Sequence, residues 1–300
     1  MPVTRRARAL RKFVSRTASG PDITHEQSRA RMDQIDRLPR PRRVDYVDTT
    51  VGGIPAIVAT PTAVEPVRHI LYIHGGAYVT GSPRSHIAMV ANLAKRASAT
   101  ATVIDYRLAP EHVYPAAIDD SVAAYRALAS EIDPALITIA GDSAGGGAAL
   151  STVIALRDAG DHLPGALYLL SPWTDLTGSG ESVVTRQEFD PMLDGSRLVG
   201  AAEIYAGTTP LDHPGVSPLF ADLSGLPPML IQTGMDEILL SDSIRFAEKA
   251  EAAGVDVTLD LADDMWHVYQ AFARFMPEAT QALIRAAVFI RATTPALVPA

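Results

Sequence analysis

Beyond residue 43 the chain alternates between short apolar runs and alanine-rich stretches of helical periodicity. Five runs are apolar at successive positions: 69–74 (HILYIH), 101–105 (ATVID), 136–140 (LITIA), 166–170 (ALYLL) and 229–233 (MLIQT). Residues 255–261 form a sixth strand candidate. A strand without polar alternation has both faces covered, and helical segments between such strands make crossover connections. The pattern therefore predicts an α/β fold built on a mainly parallel sheet with helices on both faces.

Two regions depart from this alternation. The first 40 residues are charged, helical in pattern and poor in β-branched residues, and they end at Pro39-Arg40-Pro41. Prolines lack a backbone donor and discourage helix, so a junction is expected there, dividing an N-terminal helical segment, 1–42, from a single domain over 43–300. The second region, about 177–215, contains no buried strand but carries aromatic, acidic and Gly-Pro residues. Its middle, 196–206, reads as helix. An insertion of this length between core strands is commonly functional, and a lid is the favoured reading over a structural strut.

Chemistry concentrates where strands end. Gly141-Asp142-Ser143-Ala144-Gly145 follows the 136–140 strand and precedes the helix-forming run 148–157. A G-x-S-x-G at a strand-to-helix turn is a nucleophile elbow, with Ser143 on a sharp, strained reversal. The following helix aims its N-terminal amides at developing negative charge. A second signal, His74-Gly75-Gly76-Ala77, closes the strand that begins near His69. Amides of this loop, with that of Ala144, are candidates for stabilising an oxyanion during acyl transfer. His74 is read as a structural residue that holds the loop.

A serine nucleophile needs a base, and the base needs an orienting acid. In chain order Ser, acid, His, the base lies beyond the last strand. Of eight histidines only His267 satisfies that order. The acid belongs after the 229–233 strand, where Asp236 is preferred, with Glu237 and Asp242 as competitors. Asp263 and Asp264 stand beside the histidine, in the wrong loop.

Composition narrows the field. The chain has 34 acidic and 26 basic residues, net charge -8, which argues against a nucleic-acid partner. Cysteine is absent, removing disulfides, thiolate metal sites and cysteine nucleophiles together. The first residues are basic (Arg5, Arg6, Arg8, Arg11, Lys12, Arg16), yet Arg11 and Lys12 interrupt any apolar run of the ~7–15 residues that a secretory signal requires. No stretch approaches the ~20 apolar residues of a membrane span, so a cytoplasmic protein is expected. No clustered His/Asp spacing suggests a metal site.

These motifs, together with Asp105-Tyr106-Arg107-Leu108-Ala109-Pro110-Glu111-His112, resemble the hormone-sensitive-lipase-like α/β-hydrolases from about residue 43 to the C-terminus. Within that family, 236–242 (DEILLSD) and 265–268 (MWHV) look most like bacterial carboxylesterases and monoterpene lactone hydrolases. The resemblance implies an α/β-hydrolase fold with about eight strands. It also implies a cap built from the N-terminal helices and the later insertion, no cofactor, and hydrolysis of carboxylic esters with short acyl chains. Carried over, Ser143 is the nucleophile, Asp236 the acid and His267 the base, with the oxyanion held by Gly75, Gly76, Ala77 and Ala144. Ala77 stands where the family commonly has a third glycine, which touches acyl selectivity and leaves the amide intact. Asp105, Arg107 and Glu111 are implied to form a structural ion-pair network. The expected substrate is a small ester or a lactone, and a homodimer is left open. The rival reading is a catalytically silent small-molecule-binding protein on the same fold, like the plant gibberellin receptors. These lack the catalytic histidine, whereas His267 is present here. A metal-dependent hydrolase and a lipase for long-chain triglycerides are weaker alternatives.

Overall fold

The computed structural model describes residues 4–18, 24–37, 39–63 and 66–295. Parts of the expected N-terminal segment, residues 1–3, 19–23 and 38, lie outside this set. Eight strands form one sheet: β1 (Val44–Val51), β2 (Ile54–Pro61), β3 (Arg68–Ile73), β4 (Ala99–Ile104), β5 (Ile137–Asp142), β6 (Ala166–Leu170), β7 (Met229–Gly234) and β8 (Val257–Ala262). Their spatial order is β1-β2-β4-β3-β5-β6-β7-β8. β1 and β2 pair antiparallel, as do β2 and β4, and from β4 to β8 every pair is parallel.

The five apolar runs are β3 to β7, and the sixth strand candidate is β8. The two that the pattern did not reveal, β1 and β2, lie at one edge of the sheet. β1 is exposed or half-exposed at all but its first position, so it has no apolar signature. It turns into β2 through Gly52 and Gly53, both at positive φ (61° and 83°), which suits a two-residue hairpin.

Side chains alternate between two cores. Leu71, Ile73, Ile139 and Leu169 face α4 (Ala116–Ala129), α5 (Ala144–Asp158) and α8 (Leu240–Ala252). Ile70, Tyr72, Ala140 and Tyr168 face α3 (Pro83–Ala97) and α9 (Pro277–Thr293). Covering both faces is what makes the runs apolar without alternation.

The chain enters the parallel part of the sheet at β3, adds β4 on one side, then crosses to place β5 on the other. This reversal between β3 and β5 is a topological switch point, where the carboxyl ends of neighbouring strands open a crevice. Both glycine-rich motifs sit there.

The insertion between β6 and β7 contains α6 (Ser182–Thr185) and α7 (Gly195–Ala206), the latter the helix expected over 196–206. Asp194 caps α7 by accepting from the amides of Ser196 and Arg197. Before the sheet come α1 (Arg5–Ala18) and α2 (His25–Asp33), α2 opened by a reciprocal capping box between Thr24 and Gln27. Ala7 of α1 packs into a third apolar cluster with Met265, Trp266, Tyr269 and Ala279. Thus α1 lies directly on the loop that carries His267.

Candidate active site

Ser143 follows the buried strand β5 with φ 55° and ψ −124°, a strained region for a side-chain-bearing residue. Two glycines allow the turn. A Cβ on Gly145 would lie 2.1 Å from the Ile73 carbonyl oxygen, and one on Gly141 2.3 Å from that of Gly145. Hydrogen bonds hold the turn from the next strand: the Ser143 amide donates to the Leu170 carbonyl (2.8 Å) and the Trp173 amide to that of Ser143 (2.9 Å). Ser143 opens α5 as its N-cap residue and is only 7% exposed.

The loop after β3 contributes a set of amides. Gly76 sits at φ +124°, where a Cβ would lie 2.2 Å from the Thr80 carbonyl oxygen, and Ala77 follows at φ 54°. Gly75 departs from the expected oxyanion role, because its amide donates to Asp142 Oδ1 at 3.0 Å and is therefore occupied. The amides of Gly76, Ala77 and Ala144 have no partner among the described residues. Three amide donors of the two loops are thus left without a partner.

Asp142 is a residue whose role the motif did not disclose. Its carboxylate accepts from the Tyr72 hydroxyl (2.7 Å) and the Gly75 amide, and pairs with His86 Nε2 at 3.4 Å. Burial pushes its pKa up, but the His86 charge and the hydrogen bonds outweigh burial and hold it at about 2. His86 is raised in turn, since Asp142 overrides the burial that opposes its charge. A carboxylate at the end of a fully buried strand was the available signal, since such a charge demands partners. His74 is structural in the expected sense. Its Nδ1 lies 2.9 Å from the Gly75 carbonyl and its ring stacks on Tyr106 at 4.3 Å. Burial lowers its pKa to about 3, keeping it neutral.

His267 lies on the loop after β8, 3% exposed, and its Nδ1 is 3.2 Å from Glu237 Oε1. The carboxylate that meets the imidazole is therefore one residue beyond the expected Asp236. Glu237 is fully buried, and its Oε2 accepts from the Gly234 amide (2.9 Å) and the Ser171 hydroxyl (2.8 Å). Asp236 turns outward and pairs with Arg11 Nη1 at 2.5 Å, while its amide donates to the Met265 carbonyl (2.9 Å). In a tight turn adjacent side chains diverge, and the longer glutamate is the one aimed at the imidazole. Asp242, the other competitor, accepts from the amides of Thr174 and Asp175. Asp263 and Asp264 are exposed.

Burial disfavours a charged His267, but Glu237 and the charges of Asp190 and Asp142 prevail and raise its pKa. Asp190 comes from the insertion and accepts from the amides of Ile238, Met192 and Leu193. Ser171 joins the two loops, donating to Glu237 and accepting from the Val268 amide (3.3 Å). The Ser143 elbow, Glu237 and His267 thus emerge from the carboxyl ends of β5, β7 and β8, with β6 between them bonded to both sides. The expected ion-pair network around 105–111 resolves into separate pairs, Arg107 with Asp120 (2.7 Å) and Glu111 with Arg29 of α2 (2.7 Å).

A family model described as the alpha/beta hydrolase fold matches residues 70–271, which span both glycine loops, Glu237 and His267. The chain belongs to the α/β-hydrolase family. This α/β-hydrolase is 42% identical over 246 residues to the acetyl-hydrolase of Streptomyces hygroscopicus, covering 82% of each chain. It is 40% identical over 287 residues to an esterase of Acinetobacter venetianus, covering 94% of this chain and 93% of the relative. An esterase crystal structure from the bacterial hormone-sensitive lipase family matches with a TM-score of 0.94 and 38% identity, over 98% of this chain and 100% of the other. The α/β-hydrolase is accordingly of the hormone-sensitive-lipase-like kind, a carboxylesterase-type enzyme acting on carboxylic esters. Among the described residues no helix is long and apolar enough to cross a membrane.

Proposed function

We propose that this esterase hydrolyses small carboxylic esters, short-acyl or cyclic, through an acyl-enzyme on Ser143. His267 acts as the base and Glu237 as the orienting acid. The observation that carries this reading is the buried contact of Glu237 Oε1 with His267 Nδ1, at the same carboxyl edge of the sheet as the strained Ser143 elbow. With Nδ1 held by the carboxylate, Nε2 is the nitrogen left to take the Ser143 proton as the hydroxyl attacks the ester carbonyl. The tetrahedral oxyanion is received by the amides of Gly76, Ala77 and Ala144. The alcohol leaves with the proton from His267, and water cleaves the acyl-enzyme by the same route. In a lactone the departing alcohol stays tethered to the acid, and the chemistry is otherwise identical.

Three features support a small substrate. Ser143 is almost fully covered, and the residue after Gly76 is an alanine at φ 54°, which adds a methyl to the loop of proposed oxyanion amides. The third is the packing of α7 against the loop after β3, where Tyr205 stacks on Tyr78 at 3.6 Å. In this reading α1, α2 and the 177–215 insertion form the cap that encloses the substrate.

The test is a series of p-nitrophenyl esters of increasing acyl length plus a simple lactone, with Ser143→Ala as control. Turnover that is fastest on acetate or butyrate, falls steeply on longer chains and vanishes in the variant is expected. Equal or better rates on long acyl chains overturn the size assignment, and retained turnover in Ser143→Ala overturns the nucleophile. Hydrolysis of the lactone decides between cyclic and open esters.

A further inference from the structure

Arg11 stands on α1, 225 residues before Asp236 in sequence, and its guanidinium gathers three separate segments. Nη1 donates to Asp236 Oδ2 at 2.5 Å and to the Asp264 carbonyl at 3.4 Å, and Nη2 donates to the Phe189 carbonyl. Each segment carries a component of the site. Asp236 adjoins Glu237, and Asp264 lies on the short loop that leads to His267. Phe189 adjoins Asp190, which accepts from the Ile238 amide and whose charge acts on His267. A planar guanidinium with several fixed donors is suited to joining three acceptors, which a lysine ammonium cannot reproduce in the same geometry.

Ala7 packs α1 on Met265 and Trp266, but the packing around the guanidinium is incomplete. Beside it lies a cavity of about 110 Å³ lined by Ala7, Arg8, Arg11, Asp264 and Trp266. The indole N–H of Trp266 is buried and has no partner. Asp264 and Trp266, ahead of His267, therefore have room to shift once the guanidinium is removed. The contact they carry is sensitive to such a shift, because a misplacement of about 1 Å in a catalytic constellation can cost ~10²-fold in rate.

We propose that Arg11 is a positioning residue, through which the N-terminal helix holds the Glu237 and His267 loops in the register that catalysis requires. The proposal rests on the assignment of Ser143, Glu237 and His267 given above. It makes α1 part of the catalytic apparatus without any contact to substrate, and it gives the outward-facing Asp236 a purpose as the anchor for Arg11.

The experiment compares Arg11→Ala, Arg11→Lys, Asp236→Ala and the double variant in the full chain, on p-nitrophenyl acetate from pH 5 to 9. Ser143→Ala and Glu237→Gln run beside them, and circular dichroism and Tm report folding. Arg11→Ala is expected to lower kcat by about 10–100-fold with KM within about threefold. Its kcat/KM should rise at a lower pH than in the parent, because a loosened Glu237 contact no longer holds the His267 pKa up as firmly. Arg11→Lys should recover part of the loss, and the double variant should be no worse than Arg11→Ala. A folded Arg11→Ala with unchanged kcat and pH profile overturns the proposal, as do losses that multiply in the double variant. If Arg11→Ala does not fold, wild-type kcat and pH profile in both Arg11→Lys and Asp236→Ala overturn it instead. Failure of the underlying assignment shows separately, as retained turnover in Ser143→Ala or Glu237→Gln.

Discussion

Glu237 meets His267 across 3.2 Å, with its second carboxylate oxygen fixed by the Gly234 amide and the Ser171 hydroxyl. A carboxylate anchored this way cannot rotate away from the imidazole without giving up two buried hydrogen bonds. It fixes one ring nitrogen and leaves the other for chemistry.

Glu237→Gln is therefore expected to lower kcat by about 10²–10⁴-fold, the range over which general acid–base function contributes. Asp236→Asn, which keeps a polar partner for Arg11, should lose no more than about tenfold. Steady-state kinetics on one short-chain ester measures both. A larger loss in Asp236→Asn than in Glu237→Gln would return the acid role to the aspartate.

With His267 as the proposed base, its raised pKa is expected to set the pH dependence of turnover. The base must be neutral to accept the Ser143 proton, so kcat/KM should climb with pH through the imidazole pKa of the free enzyme. Because Glu237, Asp190 and Asp142 overcome burial to raise it, the midpoint is expected above 6.5, the ordinary histidine value. In Glu237→Gln the residual activity should titrate at lower pH.

Ala77 holds φ 54°, a conformation that glycine adopts without strain. Ala77→Gly should raise stability by up to about 1 kcal/mol, read as a small rise in Tm. Removing the methyl should also relax acyl selectivity, so the ratio of hexanoate to acetate turnover is expected to increase while acetate kcat stays within a few-fold. An unchanged ratio would mean that the methyl does not border the acyl group.

Asp242 offers a test of stability rather than rate. It is fully buried with Oδ1 unpaired, and burial raises its pKa from 3.8 to about 7, partly offset by the Thr174 and Asp175 amides. Between those pH values the folded protein binds more protons than the unfolded chain, so this group makes stability fall as pH rises from about 4 to about 7. Asp242→Asn keeps an acceptor for the two amides and removes the charge. It should be more stable than the parent at pH 8, by a few kcal/mol at most, and close to it at pH 4. Thermal unfolding at the two pH values checks this, and equal Tm differences at both would be contrary to the assignment.

Strands β3 to β7 were legible because burial on both faces leaves an uninterrupted apolar run, and the outer strand β8 by the alternation of apolar and polar residues over 255–261. β1 was not, because an edge strand facing water carries no such mark. The serine, histidine and glycine positions could be read from local demands: a strained turn, a close backbone approach, a place at the end of the chain order. The acid could not, since Asp236 and Glu237 differ by one position and only the direction of the turn chooses between them. Gly75 was likewise beyond reach. Its amide is occupied by Asp142, a partner 67 residues away that appears only when β3 and β5 lie side by side. Arg11 had no local signature, because a basic residue on a helix gives no hint of a carboxylate 225 residues distant.

Asp142 binds the loop after β3 to the strand that presents Ser143, within the buried centre of the sheet. Among the described residues, no hydrogen bond or ion pair to Asp142 comes from the 1–42 or 177–215 segments. The link between the proposed nucleophile and the loop of oxyanion amides is thus internal to the sheet. An exchange of the 177–215 insertion with that of a relative should reset which esters are admitted while the proposed nucleophile and oxyanion amides keep their spacing. The N-terminal helix and the 189–190 stretch of the insertion are the exceptions, and a transplanted insertion would have to bring its own substitutes for the Phe189 carbonyl that Arg11 holds and for Asp190, which accepts from the Ile238 amide.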